Sequence, residues 1–239
     1  MTWYKQNAYA IRLEWGMTGV EQLADLTDCI IVVDVMSFSS CVSLAVSRGA
    51  AIYPWPWKDD PALEYGQKQQ ALVASADRRF VADGFSLSPH SLLSINAGTK
   101  LVLPSPNGST ISFRARESRA AVFSGCLRNL SATVDACKQF EKILVIACGE
   151  RWPDGTLRPA IEDLTAAGGL IALLQAEGRS VSPEAAAAVA VWQQGIAELH
   201  HCASARELIA RGFEEDVALC LDINADSYAS QLKGDFYAC

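Results

Sequence analysis

Two stretches of the chain carry residue types suited to phosphoryl or acid–base chemistry. In Asp34-Val35-Met36-Ser37-Phe38-Ser39-Ser40 a carboxylate ends an apolar run, and three hydroxyls open a helical pattern. A carboxylate there suits a hard cation such as Mg²⁺, and the start of a helix offers free amides and a positive dipole end to a phosphate. The same residues also read as Ser37 capping a helix beside a solvated strand-end acid. In the second stretch, Glu162 and Asp163 sit in the first turn of a helical pattern. Adjacent acids there can hold a metal or act as an acid–base pair, and they equally suit the helix dipole alone.

Three further loops follow apolar runs. Ser105-Pro106-Asn107-Gly108-Ser109-Thr110 combines a glycine that lets a ligand approach the backbone with Asn107, Ser109 and Thr110 as hydrogen-bonding groups; it also reads as an Asn-capped helix. Gly125-Cys126-Leu127-Arg128-Asn129 offers Arg128 either to an anion or to solvent. The third, Cys148-Gly149-Glu150-Arg151-Trp152, precedes the helix that begins with Glu162 and Asp163. No nucleophile elbow, dinucleotide fingerprint or lysine-bearing phosphate loop is present.

The elements that must position these loops alternate. Apolar or alternating runs over 8–14, 29–35, 50–53, 79–82, 100–103, 120–123 and 142–146 predict strands. Helical spacing predicts helices over 37–48 and 59–73, near Asn107 and near Leu127. Beyond Pro159 the pattern is helical over 161–175, 183–199, 204–210 and 214–221. Small residues at Ala166, Ala167, Gly168 and Gly169 let the first of these helices pack tightly against a neighbour, fixing its acidic end. Such alternation implies an α/β fold, a mostly parallel sheet flanked by helices, with a helical C-terminal third. One composite α/β domain over 1–239 is expected, with an internal seam near 90–100. In such a sheet, ligands bind beyond the carboxyl ends of the strands, where these loops lie.

Composition narrows the partners. The 239 residues carry 20 Lys+Arg against 27 Asp+Glu, a net charge of −7, and 50% of them are apolar. Scattered basic residues on an acidic chain argue against a nucleic-acid groove or an anionic membrane surface. The longest nearly apolar run, 185–192, is far short of the ~20 residues that cross a bilayer. Met1 to Asn7 is polar with no apolar stretch behind it, so a cytoplasmic location is expected. The eight cysteines contain no Cys-x-x-Cys pair, and most lie in apolar segments. They read as reduced packing residues rather than a disulfide framework or zinc site. Cys41, Cys126 and Cys148 lie near the loops without a nearby histidine, which disfavours a thiolate nucleophile. A homodimer is the base-rate expectation for a soluble enzyme.

Together, these segments resemble the 2-phosphosulfolactate phosphatases of coenzyme M biosynthesis. The resemblance runs through 34–50, 83–89, Asn107-Gly108-Ser109, 125–129, Cys148-Gly149, Glu162-Asp163 with Ala167-Gly168, and 206–216. It implies a Mg²⁺-dependent phosphatase acting on a small phosphorylated acid. Asp34, Glu162 and Asp163 would be catalytic, with Asp34 and Asp163 on the metal. Ser37, Ser39, Ser40, Arg78, Asn107, Gly108, Ser109 and Asn129 would bind substrate. The chain also departs from the family pattern. Members read Asp-Val-Leu-Arg-Ala-Ser-Thr where this chain has Asp34 to Ser40, so an anion-clamping arginine is missing and Ser37 stands in its place. Asp77-Arg78 is the nearest counterpart of a Gly-Glu-Arg segment, and Gly84 to Pro89 is a shortened form of a Gly-Phe loop that has lost an acid and an asparagine. Arg78 is therefore expected to supply the lost positive charge. The same departures motivate an alternative, a catalytically degenerate relative that binds a small acid or a protein partner without turnover.

Overall fold

The run Cys29-Ile30-Ile31-Val32-Val33 has no polar side chain to offer water. In the computed structural model it forms the strand β2 (Cys29–Val33), every residue of it buried. Alternation sends successive side chains to opposite faces of a sheet. Cys29, Ile31 and Val33 thus join one apolar cluster, and Ile30 and Val32 the other. The structure describes residues 3–56, 61–75, 77–78 and 84–239.

Before and after β2, the chain runs β1 (Ile11–Trp15), α1 (Gly16–Leu23), then α2 (Phe38–Ser47), β3 (Ala51–Pro56), α3 (Ala62–Gln69) and β4 (Leu72–Val73). It continues with β5 (Lys100–Ser105), α4 (Gly108–Ala115), β6 (Ala121–Gly125), α5 (Leu130–Cys137) and β7 (Ile143–Ala147). A small hairpin, β8 (Glu150–Arg151) and β9 (Leu157–Arg158), leads to α6 (Ile161–Ala176), α7 (Pro183–Gln193), α8 (Ala203–Ala210) and α9 (Glu214–Cys220). A second hairpin, β10 (Ser230–Lys233) and β11 (Phe236–Ala238), follows.

Nine strands form one sheet in the order β1-β7-β2-β6-β10-β11-β3-β5-β4. β1, β7, β2 and β6 pair in parallel, as do β3, β5 and β4. The β10–β11 hairpin lies between these blocks, antiparallel to β6 on one side and, through Tyr237 opposite Ile52, to β3 on the other. The mostly parallel α/β sheet and the helices α6 to α9 match the expectation from the sequence. The hairpin beyond them is an addition, because its strands are too short for period-2 alternation to stand out.

Helices α1, α2 and α4 contribute to the cluster on one face, and α5 to α9 to the other. The small-residue stripe of α6 does what its composition implies. A Cβ on Gly168 would lie 2.1 Å from the Ala188 carbonyl oxygen of α7, so only glycine permits that contact. Several element bounds differ from expectation. The helix expected over 59–73 ends at Gln69, where Gln70 takes a left-handed conformation (φ 54°) and the chain turns into β4. Residues 59, 60 and the strand expected at 79–82 lie outside the described residues. The helix expected over 183–199 stops at Gln193, with Gly195 at φ 87°. All eight cysteines are free thiols, and seven of them are buried.

Candidate active site

Asp34 is the first polar residue after β2, and it is 6% exposed. Its Oδ2 accepts the Gly108 N–H at 2.8 Å and its Oδ1 the Phe38 N–H at 3.3 Å. These are the first amides of α4 and α2, so two helix N-termini converge on one carboxylate. Burial nevertheless dominates: it pushes the Asp34 carboxyl up to about 6, against the two amides and Arg78, and the charge of Glu162 adds to the rise. Gly108 is obligatory for this approach. A Cβ there would lie 2.5 Å from Phe38 Cδ1 and 2.7 Å from Asp34 Oδ2.

The helix-start amides expected to cradle a phosphate are thus spent on Asp34 itself. The hydroxyls around them divide. Ser37 lines a cleft of about 260 Å³ together with Asp34, Arg78, Asn107, Glu150 and Arg211. Ser39 instead accepts the Asp34 N–H and donates to the Val32 carbonyl, and Ser40 donates to the Val35 carbonyl. Ser109 accepts the Trp55 N–H and donates to the Leu103 carbonyl. All three are buried and tie loops to strands. Asn129 likewise spends both ends of its amide, on the Cys126 N–H and the Ser124 carbonyl. Arg128 is neither an anion reader nor a surface residue. It is buried in a two-point pair with Asp226, at 2.8 and 3.1 Å, which raises its pKa over the opposing cost of burial.

The two acids of α6 also differ. Asp163 is buried with both oxygens engaged, Oδ1 accepting the Val35 N–H and Oδ2 the Gly149 N–H, each at 2.8 Å. It therefore joins the ends of β2 and β7. Burial first, then the charges of Asp34 and Glu162, raise its pKa well above the usual carboxylate range. Glu162 is 2% exposed, and its negative charge acts on Asp34, Glu150 and Asp163.

Positive charge enters from the opposite wall. Arg78 Nη1 donates to Ser37 Oγ at 3.1 Å and to Asp216 Oδ2 at 2.9 Å. Asp216 is buried and also accepts the Ser88 hydroxyl and the His90 N–H, which fixes the guanidinium from behind. The Phe213 ring has Arg78 at 5.5 Å and Arg211 at 5.6 Å from its centroid. Asp34, Ser37, Arg78 and Asn107 thus share one cleft. Sequence reasoning assigned no role to Glu150 or Arg211. Glu150 had a usable signal, since it follows β7 just as Asp34 follows the adjacent β2, and parallel neighbours end on the same side. Arg211, at the end of the helix α8, had none.

Burial raises the thiols of Cys41, Cys126 and Cys148, opposite to what an activated thiolate requires. Among the described residues no group of three His, Cys, Asp or Glu side chains is arranged to hold a metal ion. No helix among them is long and apolar enough to cross a membrane.

The chain is similar to known phosphatases. A 2-phosphosulfolactate phosphatase of Methanothermobacter thermautotrophicus is 29% identical over 197 residues, covering 81% of this chain and 82% of that protein. A probable 2-phosphosulfolactate phosphatase of Thermotoga maritima is 26% identical over 198 residues, 80% of this chain and 82% of its own length. One from Microcystis aeruginosa is 23% identical over 220 residues, 84% and 87% of the two chains. The family model for 2-phosphosulpholactate phosphatase matches residues 18–235, and the chain belongs to that family.

Proposed function

We propose that the protein is a Mg²⁺-dependent phosphatase that hydrolyses a small phosphorylated acid, with 2-phosphosulfolactate as the first candidate. The observation that carries this reading is the contact between Arg78 and Ser37. Ser37 stands where the family pattern has an arginine, and Arg78 brings a guanidinium to that place from another segment. A charge-assisted contact to a phosphate or acid group is thereby retained in a chain of net charge −7.

The donor chemistry fits a hard cation with few protein ligands. Mg²⁺ commonly binds through one or two carboxylates, keeping waters and taking substrate phosphate oxygens. Asp34 faces the cleft together with Glu150 and Glu207, and its raised pKa reflects burial and a nearby acid that a cation would offset. Asp163 is the weaker candidate for the metal role expected of it, because it ties the ends of β2 and β7 and, unlike Asp34, does not line the cleft. When bound, the cation neutralises charge on the phosphoryl group. Arg78 and Ser37 seat the anion opposite, and Asp216 keeps Arg78 from following solvent. In this reading the enzyme works in the cytoplasm, and with 2-phosphosulfolactate as substrate it serves coenzyme M biosynthesis.

Phosphate release from a panel of small phospho-acids, including 2-phosphosulfolactate, tests this. Release is expected only with Mg²⁺, and Asp34→Asn abolishes it. Thermal stabilisation by a panel member without any release indicates instead a relative that binds but does not turn over.

A further inference from the structure

The cleft does not end at Asn107 and Glu150. Asn107 Nδ2 donates to Glu150 Oε2 at 3.0 Å, and this joined pair also lines a second cavity of about 250 Å³. The first cavity carries Asp34, Ser37, Arg78 and Arg211; the second carries Trp15, Met17, Ile111 and Leu157, with Arg151 as its one further charged side chain. A wall with two functional groups therefore divides a charged chamber from a more apolar one. A phosphate monoester has the same division: a dianionic phosphoryl group, a bridging oxygen and a carbon skeleton.

We propose that Glu150 is the residue that protonates the bridging oxygen of the departing alcohol, with Asn107 as its positioning residue. The inference rests on the phosphatase reading. As the bond from phosphorus to the bridging oxygen breaks, its electron pair stays on that oxygen and the carboxyl proton of Glu150 moves onto it. The alcohol leaves neutral and Glu150 becomes a carboxylate. The attacking water gives its oxygen to phosphorus and releases a proton, so the overall change is ester plus water to alcohol plus phosphate, and a proton from solvent restores Glu150.

The surroundings suit a proton donor. Burial and then the charge of Asp34 push the Glu150 carboxyl up to about 7; Glu162 adds to the rise, while the Asn107 hydrogen bond and Arg158 oppose it. Near neutral pH much of the protein thus keeps the proton in place. A residue serving only the β8–β9 hairpin would not need a side chain facing both cavities.

The test compares leaving groups. Acetate leaves acetyl phosphate without a proton, whereas the alkoxide of 2-phospholactate needs one. Phosphate release is measured for both, with Mg²⁺, in wild type and Glu150→Gln. The expected result is a kcat loss of about 10²–10⁴-fold on 2-phospholactate and less than about threefold on acetyl phosphate. Asn107→Ala, which keeps the carboxyl but frees it, gives the same asymmetry in weaker form. Equal losses on both substrates, or full activity of Glu150→Gln on 2-phospholactate, overturn the proposal. Wild type inactive on both substrates and on the phospho-acid panel overturns the phosphatase reading, and this one with it.

Discussion

The guanidinium of Arg78 donates through Nη1 both to Ser37 Oγ, at 3.1 Å, and to Asp216 Oδ2, at 2.9 Å. One side chain therefore joins the loop after β2 to the start of α9. Arg78→Ala is expected to lower kcat/KM by about 10–150-fold, the worth of one charge-assisted hydrogen bond. It also strands a buried Asp216, at a stability cost of about 3–5 kcal/mol. Arg78→Ala with Asp216→Asn should recover stability without recovering rate, whereas Arg78→Ala with Ser37→Arg should recover at least tenfold in kcat/KM. Initial rates and thermal melts separate the two effects. An unchanged kcat/KM in Arg78→Ala removes the residue from the site.

Gly108→Ala places a methyl 2.7 Å from Asp34 Oδ2 and 2.5 Å from the Phe38 ring. The carboxylate has to move, so activity should fall at least tenfold, with about 1–3 kcal/mol lost in stability. Gly168→Ala, whose methyl meets Ala188 of α7 instead, is the control. It should destabilise while leaving KM intact. Parallel behaviour of the two variants would mean that Gly108 has no particular bearing on Asp34.

Asp163→Asn keeps one acceptor and presents a donor to the other amide. About 1–3 kcal/mol of stability is expected to go, through the ends of β2 and β7. Turnover should fall less than in Asp34→Asn, because Asp34 lines the cleft and Asp163 does not. A stable Asp163→Asn protein as inactive as Asp34→Asn would restore the catalytic role expected from its position.

The buried acids give stability a direction with pH. Asp34 is raised to about 6 and Glu150 to about 7, so the folded state holds protons that the unfolded chain has already released. Their contribution is full below the unfolded carboxylate values near 4 and is lost as pH rises through 6 and 7. The melting temperature should therefore fall between pH 5 and pH 8. Mg²⁺ should raise it more at pH 8 than at pH 5, since a carboxylate must shed its proton to bind. Melting curves at both pH values, with and without Mg²⁺, decide this. An equal Mg²⁺ effect at both would detach the cation from these acids.

Much of the frame was legible in the residues. An all-apolar Cys29-to-Val33 run has few ways to hide except in the middle of a parallel sheet, and the acid at its end lines the candidate cleft. Glycine and alanine in α6 announced a close helix contact, which Gly168 makes with Ala188. Side-chain direction was not legible. Ser37, Ser39 and Ser40 share a type and a loop, yet a turn of the backbone sends the first into the cleft and the others onto carbonyls. Asp163 follows Glu162 and looked equivalent, but two strand-end amides claim it. Arg211 reaches the site only through the packing of α8, a relation between distant segments that no local pattern carries.

The β10–β11 hairpin has a consequence for the order of events in synthesis. Among the described residues β6 and β3 meet in the sheet only through residues 230–238, so the two parallel blocks cannot share one sheet before that stretch has left the ribosome. Up to then each block presents an open hydrogen-bonding edge, the kind of surface on which nascent chains pair with one another. The growing chain thus passes through an interval of vulnerability that ends abruptly. A stall or truncation before residue 230 leaves two half-sheets and Tyr237 absent from between them.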